Sequence, residues 1–132
     1  MTTSDHMTSL KRLQGIYDGF PDVVSVTAGD DDIRIVLDVA PELCWFEGHF
    51  PGQPVLPGIV QTHWAILVSR TLFGFDEAPP DIKRLKFKNV IVPPRTVTLA
   101  LVRHGDDQVQ FRFSSPDEDN SEGRIVFARP AS

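Results

Sequence analysis

The chain has one cysteine, Cys44, among 132 residues. No disulfide can form within one copy, which suits a reducing compartment. Long hydrophobic runs are absent, and no stretch approaches the roughly 18 apolar residues that a membrane-crossing helix needs. The opening "MTTSDHMTS" lacks the basic and apolar regions of a secretory signal. The expectation is a cytoplasmic protein with no membrane span. Positive charge is scarce: 13 Lys and Arg stand against 18 Asp and Glu, for a net charge of −5. Nucleic acid is therefore not expected as the main partner, since phosphate binding needs a basic surface. Metal-loop spacings are missing too. Cys44, His49 and His63 could in principle meet at zinc but match no standard zinc pattern, and the acidic runs match no EF-hand. No cofactor or metal is expected.

What is present is an ordinary globular composition, 41% apolar and 23% charged. Residues 1–132 fit one domain, large enough to bury a core without a covalent or metal staple. Residues 1–9 are polar and expected to be disordered. "LKRLQGIYDGF" has room for a short helical turn weakened by Gly15 and Gly19. "VVSVTA" (23–28), a "GDDD" turn and "IRIVLDV" (33–39) predict an antiparallel hairpin. Residues 40–57 carry Pro41, Pro51, Pro54 and Pro57, each lacking an N–H, and predict a loop. "GIVQTHWAILVSRTLFG" then predicts a helix from Gly58, apolar on nearly every face and so buried, ending at Gly74. Four strands are predicted beyond it, over 82–92, 96–104, 108–114 and 123–128. "GDD" and "PDEDNSEG" read as turns between them. Two strands, one buried helix and four strands make an α+β pattern in which a curved antiparallel sheet wraps the helix.

"GHFPGQPVLPGIVQ" (48–61) resembles the signature of the hot-dog-fold 3-hydroxyacyl-[acyl carrier protein] dehydratases, and "LKFKNVIVP" (85–93) resembles the strand after their central helix. The fuller "WFEGHFPGQPVLPGIVQTHWA" is most similar to the dehydratase-like branch of aryl polyene and related pigment pathways. The resemblance implies a hot-dog fold and a homodimer or higher homo-oligomer with shared active sites, with a heteromeric dehydratase partner as an alternative. His49 matches the family's catalytic histidine. Gly58 matches the glycine whose backbone N–H holds the thioester carbonyl. The family's acid, Glu or Asp, aligns with His63, and a glutamine common one turn later is replaced by Leu67.

Elimination of water from a 3-hydroxyacyl thioester needs a base at the α-carbon, a group that stabilises the enolate oxygen, and an acid for the leaving hydroxyl. His49 suits the base, because imidazole works near neutrality. Gly58 at a helix N-terminus suits the oxygen. His63 stands where the acid belongs, with a plain core or interface histidine as the alternative. Phe50, Pro57 and Trp64 are expected along the acyl chain. The basic run Lys83, Arg84, Lys86 and Lys88, extended by Arg95 and Arg103, is either a solvated strand face or a docking patch for an acidic acyl carrier protein. Two other functions stay open: a non-catalytic dehydratase-like subunit that binds acyl groups or a partner, and a thioesterase on the same fold.

Overall fold

The computed structural model describes residues 3–17, 19–41, 43, 55–75 and 78–127. Helix α1 (Thr3–Ile16) leads into strands β1 (Asp22–Ala28) and β2 (Asp32–Val39). Helix α2 (Gly58–Phe73) follows, then β3 (Asp81–Phe87), β4 (Arg95–His104), β5 (Gln108–Ser115) and β6 (Glu118–Val126). The six strands form one sheet in the order β1-β2-β4-β5-β6-β3, and every neighbouring pair is antiparallel. This is an α+β architecture, as the order of apolar segments predicts, and it is the hot-dog fold that the resemblance implies.

Alternation builds the sheet. Ile33, Ile35, Leu37 and Val39 on β2 are buried, as are Val97, Leu99 and Leu101 on β4 and Val109, Phe111 and Phe113 on β5. Residues two apart share a face, so these strands turn one continuous apolar surface toward α2. The registers align that surface in rows, one of which runs Ile35, Leu99, Phe113, Ser121, Phe87 from β2 to β3. Val60, Trp64, Ala65, Val68 and Leu72 of α2 are buried in the same core. Polar side chains tolerated within this helix bond back along it: Ser69 Oγ donates to Ala65 O and Thr71 Oγ1 to Leu67 O. Gly74 closes the helix in the left-handed region, at φ 77°, its N–H donating to Arg70 O.

Three expectations are corrected. The start of the chain is not disordered over its whole length, because α1 begins at Thr3 and runs to Ile16. His6, Leu10 and Leu13, at helical spacing, are buried on one face of α1, which packs on β1 and α2. Tertiary packing holds a helix whose glycine and polar content would not hold it alone. Helix α2 is not covered all round. Ile59 is 79% exposed and His63 is exposed, because sheet and α1 together cover less than the full circumference. The acidic stretch before Gly123 is largely strand, since only Pro116 and Asp117 form the turn and β6 begins at Glu118. Its Asn120 and Ser121 are fully buried and bonded to neighbouring elements.

Candidate active site

The site is built on the first turn of α2. Pro57 is the N-cap and offers no side-chain hydrogen bond. Its carbonyl accepts from Val60 N and Gln61 N, which leaves the earlier amides outside the helical ladder. The helix dipole points its positive end at the same place. A groove of about 400 Å³ opens there, with residues 55–59 and Gln61 on one wall and residues 87–90 on the other. Gly58 is the narrowest point. A Cβ at Gly58 would lie 2.5 Å from Phe87 Cζ, so only hydrogen fits beneath the ring. A carbonyl oxygen entering this groove meets a helix N-terminus, whose first amides have no partner within the helix, and apolar walls, an arrangement suited to developing negative charge.

Both walls are held from β6 by two adjacent buried residues. Ser121 Oγ donates to Gln61 Oε1 at 2.7 Å, while Gln61 Nε2 donates to Leu56 O at 3.2 Å. Asn120 fixes the other wall: its carbonyl accepts from Lys88 N and Asn89 N, and its Nδ2 donates to Asn89 O and Val90 O. Ser115 Oγ completes Asn120 by donating to its Oδ1. Every one of these interactions satisfies a polar group that would otherwise be buried at a cost.

The predicted site residues divide. Pro57 and Gly58 line the groove. His63 is exposed one turn beyond, its ring edge-on to Tyr17 at 6.4 Å between centroids, which rules out a core histidine. Trp64 is a core residue and not a groove residue: it is 1% exposed and packs edge-on against Phe20. His49 and Phe50, and Cys44 with them, lie outside the described residues. Among the described residues no three potential metal ligands come together. Sequence reasoning missed Phe87, Gln61, Asn120 and Ser121. The close Gly58–Phe87 approach joins segments 29 residues apart, and no local pattern signals it.

The basic residues also divide. Strand β3 is a sheet edge, and Leu85 and Phe87 on it are 41% and 52% exposed. Arg84 adopts φ 54° at a bulge between Lys83 and Lys86. Lys86 stands opposite Glu122, which stands opposite Arg112, and Lys83 stands opposite Arg124. Lys88 bonds Glu122 at 2.6 Å, and that hydrogen bond, with the charges of Lys88, Arg112 and Lys86, holds the Glu122 carboxyl below its usual range. Arg95 and Arg103 do not extend this patch. They sit on β4, separated from β3 by two strands, where Arg95 binds Asp117 and Arg103 lies over the Phe75 ring. Arg112 and Arg124 take their place, because the register brings β5 and β6 beside β3.

A helix lying on a six-stranded antiparallel sheet, with a glycine at its start beneath Phe87, is the arrangement of a hot-dog protein. Residues 25–124 match the ApeI-like family, described as ApeI dehydratase, and the chain belongs to that family. It is similar to the solved dehydratase heterocomplex ApeI:P from Xenorhabdus doucetiae, with 30% identity, a TM-score of 0.73, and coverage of 83% of this chain and 98% of that one. An uncharacterized protein from Erwinia carotovora subsp. atroseptica gives 30% identity, a TM-score of 0.72, and coverage of 83% and 97%. The bifunctional enzyme LpxC/FabZ of Porphyromonas gingivalis is 31% identical over 84 residues, which is 58% of this chain and 18% of that protein. The chain thus spans less than a fifth of the length of this curated relative.

Proposed function

We propose that this protein eliminates water from 3-hydroxyacyl thioesters, carried on an acyl carrier protein, to give trans-2-enoyl thioesters in fatty acid or polyene-type biosynthesis. The observation that carries the reading is the Gly58 groove: a helix start without a side-chain cap beneath Phe87, at the wall of a largely apolar channel. The thioester carbonyl accepts from the Gly58 N–H, which acidifies the α-carbon. His49 removes the α-proton. His63 gives a proton to the departing 3-hydroxyl, which leaves as water. Phe50 and Pro57 border the acyl path.

Lys83, Arg84, Lys86 and Lys88, joined by Arg112 and Arg124, form the docking face for an acidic carrier protein. Lys88 lies at the groove itself, so a carrier seated there delivers its arm directly. A second hot-dog subunit covers the exposed Leu85 and Phe87 of β3 and Val90 and Val92 just beyond it, and completes the active site. That subunit is a second copy or a related chain. The heterocomplex relative and the replacement of the family acid by His63 support the related chain.

The test is mass spectrometry of a 3-hydroxyacyl carrier protein after incubation with this protein, beside a His49→Ala control. Loss of one water, abolished in the control, is expected. Loss of the whole acyl group would replace this reading with a thioesterase. Tight binding without turnover would make the chain a non-catalytic dehydratase-like subunit.

A further inference from the structure

We infer that Gln61 is a positioning residue for the Gly58 groove and acts through Ser121 of β6. Gln61 is 3% exposed and Ser121 is 1% exposed, so neither side chain is spent on solvent. Gln61 uses both ends of its amide. The oxygen accepts from Ser121 Oγ, and the nitrogen donates to Leu56 O, just ahead of the helix. One side chain therefore ties three things together: the segment entering α2, the first turn of α2, and the sheet. Ser121 is also the register partner of Phe87, whose ring covers Gly58. The contacts run from Gly58 to Phe87, across the ladder to Ser121, through the hydroxyl to Gln61, and back along one helical turn to Gly58. A closed circuit of this kind sets the distance and direction between the Gly58 amide and the ring above it. An apolar residue of similar volume at position 61 would fill the space but leave the helix start free to slide along the sheet. The buried polar pair thus serves geometry, and a pure packing role would not need it.

This inference rests on the proposed use of Gly58, so its test has one arm that needs no turnover. Backbone amide relaxation dispersion of residues 58–61 is measured in ligand-free wild type, Ser121→Ala and Gln61→Met, with a melting curve for each. Ser121→Ala removes only the hydroxyl and keeps the fold accessible should Gln61→Met misfold. New exchange broadening at Gly58 and Ile59 is expected in both variants. Amides as quiet as those of wild type in a folded Ser121→Ala protein would overturn the proposal. In the second arm, 3-hydroxyacyl carrier protein turnover is followed for both single variants and the double variant. A tenfold or larger fall in kcat is expected, with KM within about threefold, and the double variant no slower than the worse single one. Losses that multiply in the double variant would overturn action through Ser121. A wild type that turns nothing over overturns turnover by this chain alone, and the relaxation arm still decides the positioning role.

Discussion

Phe87 closes directly on Gly58: a methyl group on that glycine would stand 2.5 Å from the ring's Cζ. The edge strand of the sheet and the first residue of the central helix therefore make one site, although 29 residues separate them. The contact also ranks the consequences of substitution. The atoms in the way are the outer end of the Phe87 ring, so a side chain at position 58 would displace that ring and not the backbone of the strand. A helix interior prefers alanine to glycine by about 1 kcal/mol, a preference that applies only in part at the first residue of α2.

Gly58→Ala is accordingly expected to change stability by less than about 1 kcal/mol in either direction. Groove function should fall at least tenfold, because the displaced ring and the new methyl narrow the approach to the amide. Urea melts and acyl-thioester binding on the same preparation check this. Binding retained at the wild-type level would show that the carbonyl goes elsewhere.

His63 is exposed and meets the Tyr17 ring edge-on, so His63→Gln should leave the melting temperature nearly unchanged. Turnover is expected to fall by about 10²–10⁴, the usual contribution of a positioned acid. His63→Glu restores the acid type of the dehydratases and is expected to keep more activity than His63→Gln. Equal rates in wild type and His63→Gln would remove His63 from the chemistry.

Trp64 separates packing from binding. Trp64→Ala should cost about 3–5 kcal/mol, the range for emptying a buried aromatic site. Trp64→Phe keeps much of the volume and should cost less, with KM unchanged, since Trp64 lies on the core side with Phe20. A raised KM in a stably folded Trp64→Phe protein would place the acyl chain against this residue.

Helix α1 is expected to be part of the folded unit. Leu10 is fully buried, and Leu10→Ala should destabilise the whole domain by about 2–5 kcal/mol, read as one shifted cooperative transition. A local loss of helicity with the main transition unmoved would make α1 an appendage.

Glu122 gives the pH dependence. Its carboxyl sits below the ordinary range because Lys88 bonds it and Lys88, Arg112 and Lys86 surround it. A carboxyl whose pKa is lower in the folded chain stabilises the fold above the unfolded value and loses that contribution as pH falls through the folded one. Stability from this group is thus complete at neutral pH and declines in acid. Glu122→Gln should lower stability slightly at pH 7 and flatten the decline, as pH-dependent denaturant melts would record. Partial exposure and salt keep the effect small.

Much of the scaffold was legible in the sequence. Alternation marked β2, β4 and β5, because a strand facing a core on one side must alternate. Proline density ended at residue 57, and the helix began at the next position, with Gly74 at its far end. The motif around Gly58 was legible as a family resemblance. Helix α1 was written more faintly, in His6, Leu10 and Leu13 at one-turn spacing among polar residues. Its stability comes from β1 and α2, so local propensity argued against it. The acidic run before Gly123 misled for a related reason. Asp117, Glu118 and Asp119 resemble a turn, yet Asn120 and Ser121 complete hydrogen bonds that only the assembled sheet presents.

What the sequence by itself determined is the set of elements and their order, since periodicity, proline and glycine act over a few residues and need no partner. Tertiary structure alone decided which of those elements meet. Gln61 finds Ser121 across a separation of 60 residues, Phe87 covers Gly58, and Arg112 and Arg124 replace Arg95 and Arg103 beside the β3 cations. Strand order and register set these meetings. They follow from how the apolar faces close over the helix, a requirement of the whole chain that no short stretch encodes.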